Sequence, residues 1–380
     1  MPHARKRLAL PRLKKKLGFF PVVAIQGARQ TGKSFLAREL LKEHFRDSEY
    51  QTFDQQSIKG EAERAPHTFL LEHSAHRLLI LDEAQKVPVI FDAIKFEVDQ
   101  KRVPGRFLLL GSTEFSKLTQ IRESLTGRMG RVRLFPLTLA ETVGLDKASA
   151  PDRRDLLSYL KNGGMPGIFA VRDNEEQDAL FQDWVDLTCL RDIQQFKGLK
   201  LDGELSFELL KLSATLEEPT RAQMARATQV DPRRVETHLK ALCALFVLQR
   251  LNPHPSGTGK PIYLPLDCGV ARYLGASRIR QLHVWLVVEK MAANAYSKEK
   301  RKSFFYYRST GKRIIHLVEE GIDQPTQAFQ VVANERILKT DAELMLAFLK
   351  KNQTAKGRVL APIPEKQKVK TCVFVPWESV

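Results

Sequence analysis

The segment GARQTGKS, from Gly27 to Ser34, constrains this 380-residue chain more than any other feature. It matches the pattern GxxxxGK[ST] and lies between an apolar run typical of a strand (residues 22–25) and an amphipathic stretch typical of a helix (residues 33–43). The two glycines let the backbone curl so that successive N–H groups point inward, where they can bind phosphate. We predict a phosphate-binding loop made of Gly27, Ala28, Arg29, Gln30, Thr31, Gly32, Lys33 and Ser34.

The residue types in this loop indicate a nucleotide. In loops of this pattern the lysine, here Lys33, contacts the β- and γ-phosphates, and the hydroxyl, here Ser34, ligates Mg²⁺. ATP and Mg²⁺ are therefore the expected ligands. The alternative is a plain glycine turn before a helix.

Two further apolar runs end in polar side chains. The run LLIL precedes Asp82 and Glu83, and the run FLLLG precedes Ser112 and Thr113. A carboxylate at the carboxyl end of a buried strand can reach a metal beside the phosphate loop, which suits Asp82, and Glu83 is placed to polarise an attacking water. Ser112 or Thr113 would sense the γ-phosphate or hold that water.

A glycine-flanked arginine follows in the segment SLTGRMGR, which begins at Ser124. Arg128 could stabilise transition-state charge in its own subunit or from a neighbouring one, and Arg131 is the second candidate. If the arginine acts on a neighbouring subunit, the active form is a homo-oligomer. The alternative is a surface arginine that binds nothing.

The alternation of apolar runs and amphipathic stretches from residue 21 to residue 135 predicts an α/β fold. Strands that are apolar at nearly every position are typical of a parallel sheet covered by helices on both faces. Helical patterns follow, and then a strand, a helix and further strands. We expect five parts: a basic N-terminal arm (1–20), a nucleotide-binding core (21–140), a helical lid or linker (141–202), a compact helical module (203–260) and a small α/β domain (261–380).

Basic residues concentrate at the two ends of the chain. Of the net charge of +17, residues 1–20 contribute seven, with no acidic residue, and residues 251–380 contribute ten through 21 basic and 11 acidic residues. A polyanion such as double-stranded DNA is therefore a candidate partner. The alternatives are a basic protein that binds nothing anionic and a basic terminus that is simply solvated.

Residues 220–250 are predicted to form two helices joined by a tight turn. Asp231 followed by proline is a typical helix start, and the second helix would bury one apolar face. Its other face would present Arg233, Arg234, His238 and Lys240. A recognition helix in the major groove of DNA has such a face, with a basic loop near Lys260 as a wing. A module that docks on a protein is the alternative.

Several classes of protein are disfavoured by composition. The four cysteines stand far apart, and no His/Cys cluster has metal-ligand spacing, so neither a disulfide framework nor a zinc site is expected. No apolar run approaches the ~20 residues of a membrane span, and the basic N-terminus lacks the apolar stretch of a secretory signal. We expect a cytoplasmic protein with no membrane contact.

These motifs in this order resemble the prokaryotic AAA-type P-loop ATPases that carry a C-terminal domain related to restriction endonucleases. The resemblance covers nearly the whole chain after residue 20 and implies an AAA-type core, a helical segment, a winged-helix module and a nuclease-like domain. It also suggests a hinge between core and lid at residues 163–166. The matching segments are GARQTGKS, LDEAQ from Leu81, LGST from Leu110, SLTGR from Ser124, GGMP from Gly163, LRDI from Leu190, IYLPLDCG from Ile262, and the pair Tyr307-Arg308 with Gly311.

The C-terminal end departs from this family where its members carry a metal-dependent nuclease site. Relatives have Glu-x-Asp in the strand after the Tyr-Arg pair and Glu-x-Lys in the next one, whereas this chain has RII from Arg313 and QVV from Gln330. Such a nuclease needs carboxylates to hold Mg²⁺ and a lysine near the water. Glu289, on the preceding helix, is left without partners. We expect a degenerate domain kept for binding or assembly, without nuclease activity.

These features predict an Mg²⁺-dependent AAA-type ATPase that converts ATP to ADP and phosphate. Its nucleotide state would move the lid and the C-terminal domains and couple to DNA or to a protein client. The second hypothesis is a nucleotide-gated binding or signalling switch with little or no hydrolysis. Glu83 favours hydrolysis, whereas the missing nuclease residues favour a binding role. A small-molecule kinase is weakly supported, since no acceptor-binding segment is visible.

Overall fold

The fold is that of a computed structural model, which describes residues 5–41, 43–117, 125–145, 150–196, 198–298, 301–309, 311, 313–334 and 339–379. The helices are α1 (Leu10–Leu17), α2 (Lys33–Phe35), α3 (Gln56–Arg64), α4 (Pro66–Glu72), α5 (Ile90–Gln100), α6 (Leu139–Val143), α7 (Arg153–Asn162), α8 (Asn174–Asp186), α9 (Gly203–Thr215), α10 (Arg221–Thr228), α11 (Pro232–Ala244), α12 (Cys268–Tyr273), α13 (Arg278–Tyr296) and α14 (Lys339–Lys351). The strands are β1 (Val22–Gln26), β2 (Ser48–Thr52), β3 (Leu78–Asp82), β4 (Phe107–Gly111), β5 (Met129–Arg133), β6 (Leu248–Pro253), β7 (Ile262–Pro265), β8 (Ser303–Arg308), β9 (Ile314–Glu320), β10 (Gln327–Val331), β11 (Lys356–Ala361), β12 (Gln367–Val369) and β13 (Cys372–Pro376). Short π-helical turns at Leu36–Leu40 and Leu187–Arg191 and 3₁₀ turns at Ala84–Lys86, Phe115–Lys117 and Asp192–Gln195 complete the helical elements.

Five parallel strands form the first sheet, in the order β2-β3-β4-β1-β5. Strands β1, β3 and β4 are buried along their whole length because hydrophobic clusters cover both faces of the sheet. Val23 and Ile25 of β1 belong to one cluster, and Val22 and Ala24 belong to the other. This architecture confirms the predicted α/β class.

The strand order brings three loops to one edge of this sheet. Strand β4 lies between β1 and β3, with Gln26 paired to Gly111 and Leu81 paired to Leu109. In a parallel sheet the carboxyl ends of neighbouring strands lie side by side. The phosphate loop after β1, the acidic pair at the end of β3 and the polar residues after β4 therefore emerge together.

Residues 5–20 are not the solvated basic arm that the charge run predicted. Helix α1 packs on the first sheet and buries Leu13 and Leu17. The chain before it also buries Arg7. The leucine spacing gives α1 one apolar face, and Lys14–Lys16 lie in its last turn, where positive charge is favourable. The lysines are therefore compatible with a packed helix.

A compact helical module and a second sheet make up the C-terminal half. Helices α9, α10 and α11 pack together beside the β6–β7 hairpin, and Thr220 pairs with Ile262 of β7. The hairpin joins an eight-stranded mixed sheet, in the order β12-β13-β11-β10-β9-β8-β6-β7, with α13 on one face and α14 on the other. The boundary predicted between residues 260 and 261 therefore falls inside one hairpin, and the boundary predicted after residue 140 falls inside α6.

The predicted hinge at residues 163–166 is a close-packed junction. Gly163 has φ +71°, and a β-carbon at this position would lie 2.2 Å from Asp267 Oδ1. The Gly164 N–H donates to Asp267 Oδ2 at 2.7 Å, and the Gly164 carbonyl accepts from the Leu137 N–H at 2.7 Å. This close approach requires glycine at both positions, since a β-carbon on Gly163 would meet Asp267 and one on Gly164 would meet the Leu137 carbonyl.

Candidate active site

The phosphate loop wraps around a buried lysine. Gly32 has φ +89° and lies directly before α2, a conformation that favours glycine. The Lys33 ammonium donates to the carbonyls of Gly27 at 3.0 Å and Ala28 at 2.8 Å, and burial lowers its pKa. Glu83 and Asp82 oppose part of this shift, but the direct partners of the buried ammonium are neutral carbonyls that leave its charge unpaired. The loop therefore fits an anion such as a nucleotide phosphate.

Arg7 braces the phosphate loop from the N-terminal segment. Its guanidinium donates to the carbonyl of Thr31 at 2.8 Å and to that of Phe135 at 2.7 Å, and it pairs with Glu141 at 3.2 Å. Glu141 itself closes a capping box with Thr138 at the start of α6. Sequence reasoning missed Arg7 because it stood within a basic run that looked solvated.

Ser34 and Asp82, the two residues predicted as metal ligands, lie in hydrogen-bond contact. The Ser34 hydroxyl donates to Asp82 Oδ2 at 2.5 Å, and the Tyr50 hydroxyl donates to the same oxygen at 2.5 Å. Burial and the hydrogen bond to Asp82 raise the pKa of Tyr50, which keeps it a neutral donor. A hydroxyl beside a carboxylate oxygen is the donor set that Mg²⁺ prefers. Tyr50 was missed because a tyrosine in a short strand looks like a packing residue.

Glu83 is held in a strained conformation beside Ser112. Its backbone has φ +53°, a left-handed conformation that costs of order 1–3 kcal/mol for residues other than glycine and clusters at functional sites. Its carboxylate accepts from the Ser112 hydroxyl at 3.0 Å and from the amide of Gln85. Ser112 and Thr113 were both candidates for sensing the γ-phosphate or holding the attacking water, and their contacts differ. Ser112 faces Glu83, whereas the Thr113 hydroxyl donates to Gln195 at 2.8 Å.

The short turn Asp192–Gln195 contacts both the phosphate loop and the end of β4. Arg29 of the loop forms a bidentate pair with Asp192, at 2.6 and 2.7 Å, and the indole N–H of Trp184 donates to the Arg29 carbonyl at 3.1 Å. Gln195, in the same turn, accepts from Thr113. Spacing in the sequence could not have predicted that this turn contacts the site, because the turn lies more than 150 residues after the phosphate loop.

Arg128 does not lie near the phosphate loop of its own chain. Met129 pairs with Val22, so Arg128 stands at the amino edge of the sheet, one strand length from the loop that follows Gln26. Its guanidinium pairs with Asp99 at 2.5 and 2.9 Å. Arg131 is exposed in the middle of β5. Arg128 therefore does not reach the phosphate loop of its own subunit in this arrangement. Ser124 of the same segment lies outside the described residues.

The predicted DNA-reading face of α11 is only partly available. His238 is fully buried; its Nδ1 bonds to the Arg234 carbonyl at 2.8 Å, and its Nε2 accepts from the Asp202 N–H at 2.9 Å, so its placement on the basic face was wrong. Arg234 pairs with Asp202, and Lys240 pairs with Glu236. Arg233 is exposed. The interior position of His238 follows from its spacing with Val235 and Leu242.

The positions aligned with a nuclease site line one cavity, but Glu289 does not. Arg313 and Gln330 line a cavity of about 460 Å³ together with His283 and His316. Glu289 instead accepts from the Leu139 N–H at 3.1 Å, at the junction with the first sheet. Ile279, Arg280 and His283 are the residues of α13 that line the cavity, and Glu289 lies outside it. Within the described ranges, no group of three His, Cys, Asp or Glu side chains could hold a metal ion.

Comparison with known proteins agrees with this geometry. Residues 20–143 match the family model described as an AAA domain, and residues 153–274 match a domain of unknown function (DUF8612). Two mycobacterial proteins, uncharacterized protein Mb2031c of Mycobacterium bovis and uncharacterized protein Rv2008c of Mycobacterium tuberculosis, are each 31% identical over 257 residues, which is 67% of this chain and 55% of each relative. The chain thus spans about half the length of these relatives.

Two solved structures share looser similarity. The Walker-type ATPase PABY2304 of Pyrococcus abyssi is 14% identical, with a TM-score of 0.44, over 72% of this chain and 98% of that chain. The RuvB Holliday junction branch migration motor of Thermotoga maritima is 17% identical, with a TM-score of 0.33, over 67% of this chain and 88% of that chain. In the part of the chain that the structure describes, no helix has the length and apolar character to cross a membrane. The family match and the geometry of the loop together identify residues 20–143 as an AAA-type P-loop ATPase domain.

Proposed function

We propose that this protein is an Mg²⁺-dependent ATP hydrolase whose nucleotide state is passed to its C-terminal half. The observation that carries the proposal is the assembly of Lys33, Ser34, Asp82 and Glu83 at one edge of the parallel sheet. A loop that only bound nucleotide would not need Glu83, a second carboxylate that follows Asp82 and contacts Ser112 at the end of β4.

Each side chain supports a distinct part of hydrolysis. The backbone N–H groups of the loop and Lys33 would bind the phosphates of ATP, and Ser34 with Asp82 would hold Mg²⁺. When bound, Mg²⁺ supplies positive charge that offsets the negative charge of the phosphate oxygens. Glu83 would polarise the attacking water, while Ser112 orients its carboxylate. The site thus has a group for binding, for metal ligation and for water activation.

Contacts from the site edge to the helical module support coupling. Directly after Thr113, the Glu114 N–H donates to the carbonyl of Ala244, the last residue of α11, at 2.8 Å. From the end of β5, the Arg133 guanidinium donates to Gln249 in β6 at 2.6 Å. Changes at the ends of these strands would therefore reach α11 and the hairpin directly.

The arrangement of residues 203–265 supports a winged-helix module. Three helices followed by a hairpin, with Thr220 bridging to β7, are typical of that fold. Its partner would be double-stranded DNA through the exposed Arg233 and neighbouring basic groups, or a protein client docked on the same helix. The loop between β6 and β7 packs on the C-terminal domain, where the Lys260 carbonyl accepts from Tyr306 at 2.7 Å. This contact favours the helix over the wing as the contact surface.

The remaining parts of the proposal concern the C-terminal domain and assembly. The domain would serve binding rather than cleavage, since Arg313 and Gln330 replace the carboxylates of a nuclease site. Arg128 would complete a neighbouring active site in a homo-oligomer, because its own phosphate loop is out of reach. The cytoplasm, which supplies ATP, is the compartment this function requires.

One observation favours the second candidate function, a nucleotide-gated switch with little hydrolysis. Ser112 and Gln85 both bond to Glu83 Oε2, so only Oε1 of this carboxylate is left to polarise a water. If these contacts persisted with ATP bound and held Oε1 away from the phosphates, nucleotide would act as a conformational ligand only.

Phosphate release by the wild type and by Lys33→Ala, with Mg²⁺ or with a chelator and with or without duplex DNA, tests the proposal. We expect turnover that needs both Lys33 and Mg²⁺. Stimulation by DNA at low salt would identify DNA as the partner, and turnover indifferent to DNA would indicate a protein client. Tight nucleotide binding without any turnover would contradict hydrolysis and support the switch.

A further inference from the structure

A recess in the C-terminal domain concentrates positive charge that its own carboxylate does not balance. The recess has a volume of about 260 Å³ and lies between α13 and strands β9, β10 and β11. Its charged lining consists of Lys290, Lys302, Arg358 and Glu319. Three cations facing one carboxylate leave a formal charge of +2 in a small volume.

The contacts of these side chains show which charges are compensated. Lys302 donates to Glu319 Oε1 at 2.5 Å, which uses the one carboxylate. The Lys290 ammonium lies 4.7 Å from the centroid of the buried Phe329 ring, and the Arg358 guanidinium lies 5.9 Å from the same centroid. Neither Lys290 nor Arg358 forms an ion pair with any residue that the structure describes. An aromatic face offsets part of their charge but does not neutralise it.

Electrostatics within the recess favour an added anion. Burial lowers the pKa of Lys290, and the charges of Arg358 and Lys302 lower it further, against the opposite effect of Glu319. A lowered pKa means that the environment disfavours the charged form of a lysine. A negative group placed between these cations would remove that cost.

We propose that this recess binds a backbone phosphate of a nucleic acid strand. Its volume is below the roughly 300–1,000 Å³ of pockets that enclose a small ligand, so it admits one charged group of a larger molecule rather than a whole nucleotide. Lysine and arginine are the side chains that neutralise nucleic acid phosphates. The recess also lies in the part of the chain, residues 251–380, that carries a surplus of ten positive charges.

The recess is better suited to this role than the basic face of α11. There Arg234 and Lys240 already pair with carboxylates, whereas Lys290 and Arg358 do not. A nucleic acid bound at the recess would be the partner in the proposed coupling, and only this link to coupling rests on the proposed function. Nucleic acid binding at the recess can be measured without nucleotide, so a failure of ATP hydrolysis would leave it standing.

The test is the binding of a fluorescent 20-base-pair DNA duplex to the full chain across a salt series without ATP. The variant is Lys290→Gln with Arg358→Gln, and the charge-matched control is Lys366→Gln with Lys368→Gln, at two exposed lysines of β12 and its flank. We expect the double variant to bind roughly tenfold more weakly at low salt, with a slope of log affinity against log salt that is reduced by about 1 to 2. The control should bind like the wild type.

Two further variants separate charge effects from misfolding. Arg358→Gln alone changes an exposed side chain and should still weaken binding. Glu319→Gln removes the negative charge from the recess and should strengthen binding, a change of sign that a damaged fold would not produce. Unchanged DNA binding by the double variant would overturn the proposal, and so would an equal loss in the control.

A titration with inorganic phosphate distinguishes the two sources of the anion. If millimolar phosphate bound to the wild type and not to the double variant, while DNA binding was the same in both, the recess would be a small-anion site and the nucleic acid proposal would be wrong. Loss of DNA binding in the double variant, with phosphate acting only as a weak competitor, is the expected result.

Discussion

The pair between Arg29 and Asp192 joins the phosphate loop to the turn Asp192–Gln195, and replacing Asp192 by asparagine tests whether nucleotide binding depends on this pair. Asp192 is 5% exposed and Arg29 is 25% exposed, so the pair is largely shielded from solvent. Hydrogen bonds to charged groups contribute about 1.5–3 kcal/mol, and asparagine keeps one acceptor. We therefore expect Asp192→Asn to cost about 1–2 kcal/mol of ATP binding, a factor of about 5–30 in affinity.

The assay is equilibrium binding of a fluorescent ATP analogue, in a Glu83→Gln background that prevents turnover. Arg29→Gln should weaken binding by a similar factor, and the double variant with Asp192→Asn should be no weaker than either single variant, because both changes break one interaction. Asp183→Asn, an exposed carboxylate of α8, is the matched control and should bind like its parent. Additive losses of ATP affinity in the double variant, or unchanged affinity in Asp192→Asn, would show that the Arg29–Asp192 pair does not determine nucleotide binding.

Three other changes give measurable outcomes. Burial raises the pKa of Glu289 to about 7, above its ordinary value of 4.5, so the folded state gains stability from the protonated form at low pH and loses it as pH rises through 7. In urea unfolding, the free energy of unfolding of Glu289→Gln should therefore match that of the wild type near pH 4.5 and exceed it by up to about 3 kcal/mol at pH 8. A variant less stable than the wild type at pH 8 would contradict the raised pKa. Gly163→Ala should destabilise the protein by about 2–4 kcal/mol in a thermal melt, because the added carbon meets Asp267. Gly167→Ala is the control and should be nearly neutral, because the space around Gly167 is open. Equal effects of the two substitutions would argue against the packed junction. Ser112→Ala should lower kcat by roughly tenfold to a hundredfold with little change in the KM for ATP, because the hydroxyl positions the Glu83 carboxylate and does not bind nucleotide. A change confined to KM would instead assign Ser112 to nucleotide binding.

The residues of the site that follow strands could be predicted from local sequence. Ser34, Asp82, Glu83 and Ser112 each stand where an apolar run or the loop motif ends, and parallel strands bring such ends together. The order of elements expected in the C-terminal half, a strand followed by a helix and further strands, is also found, with α13 as the long helix between β7 and β8. Periodicity reports which positions are buried, and burial is what decides these elements.

The residues that sequence reasoning missed are joined to the site only by tertiary packing. Arg7 and Asp192 contact the phosphate loop, and Tyr50 contacts Asp82. All three lie in segments that belong to none of the motifs of the site. His238 was misplaced for a related reason, because a histidine on a basic helix looks exposed unless its bond to Asp202 is known. The position of Arg128 depends on the register of β5 against β1, which no single strand reveals.

Glu83 is the residue on which the proposed hydrolysis depends most directly, and Glu83→Gln separates ATP binding from turnover. We expect this variant to bind ATP as tightly as the wild type, because Lys33 and the loop are intact, and to lose nearly all Mg²⁺-dependent phosphate release. Wild-type turnover at the same rate in the variant would contradict the assignment of Glu83. Tight ATP binding by the wild type with no phosphate release at all would contradict the hydrolase itself and leave the nucleotide-gated switch as the function of this site.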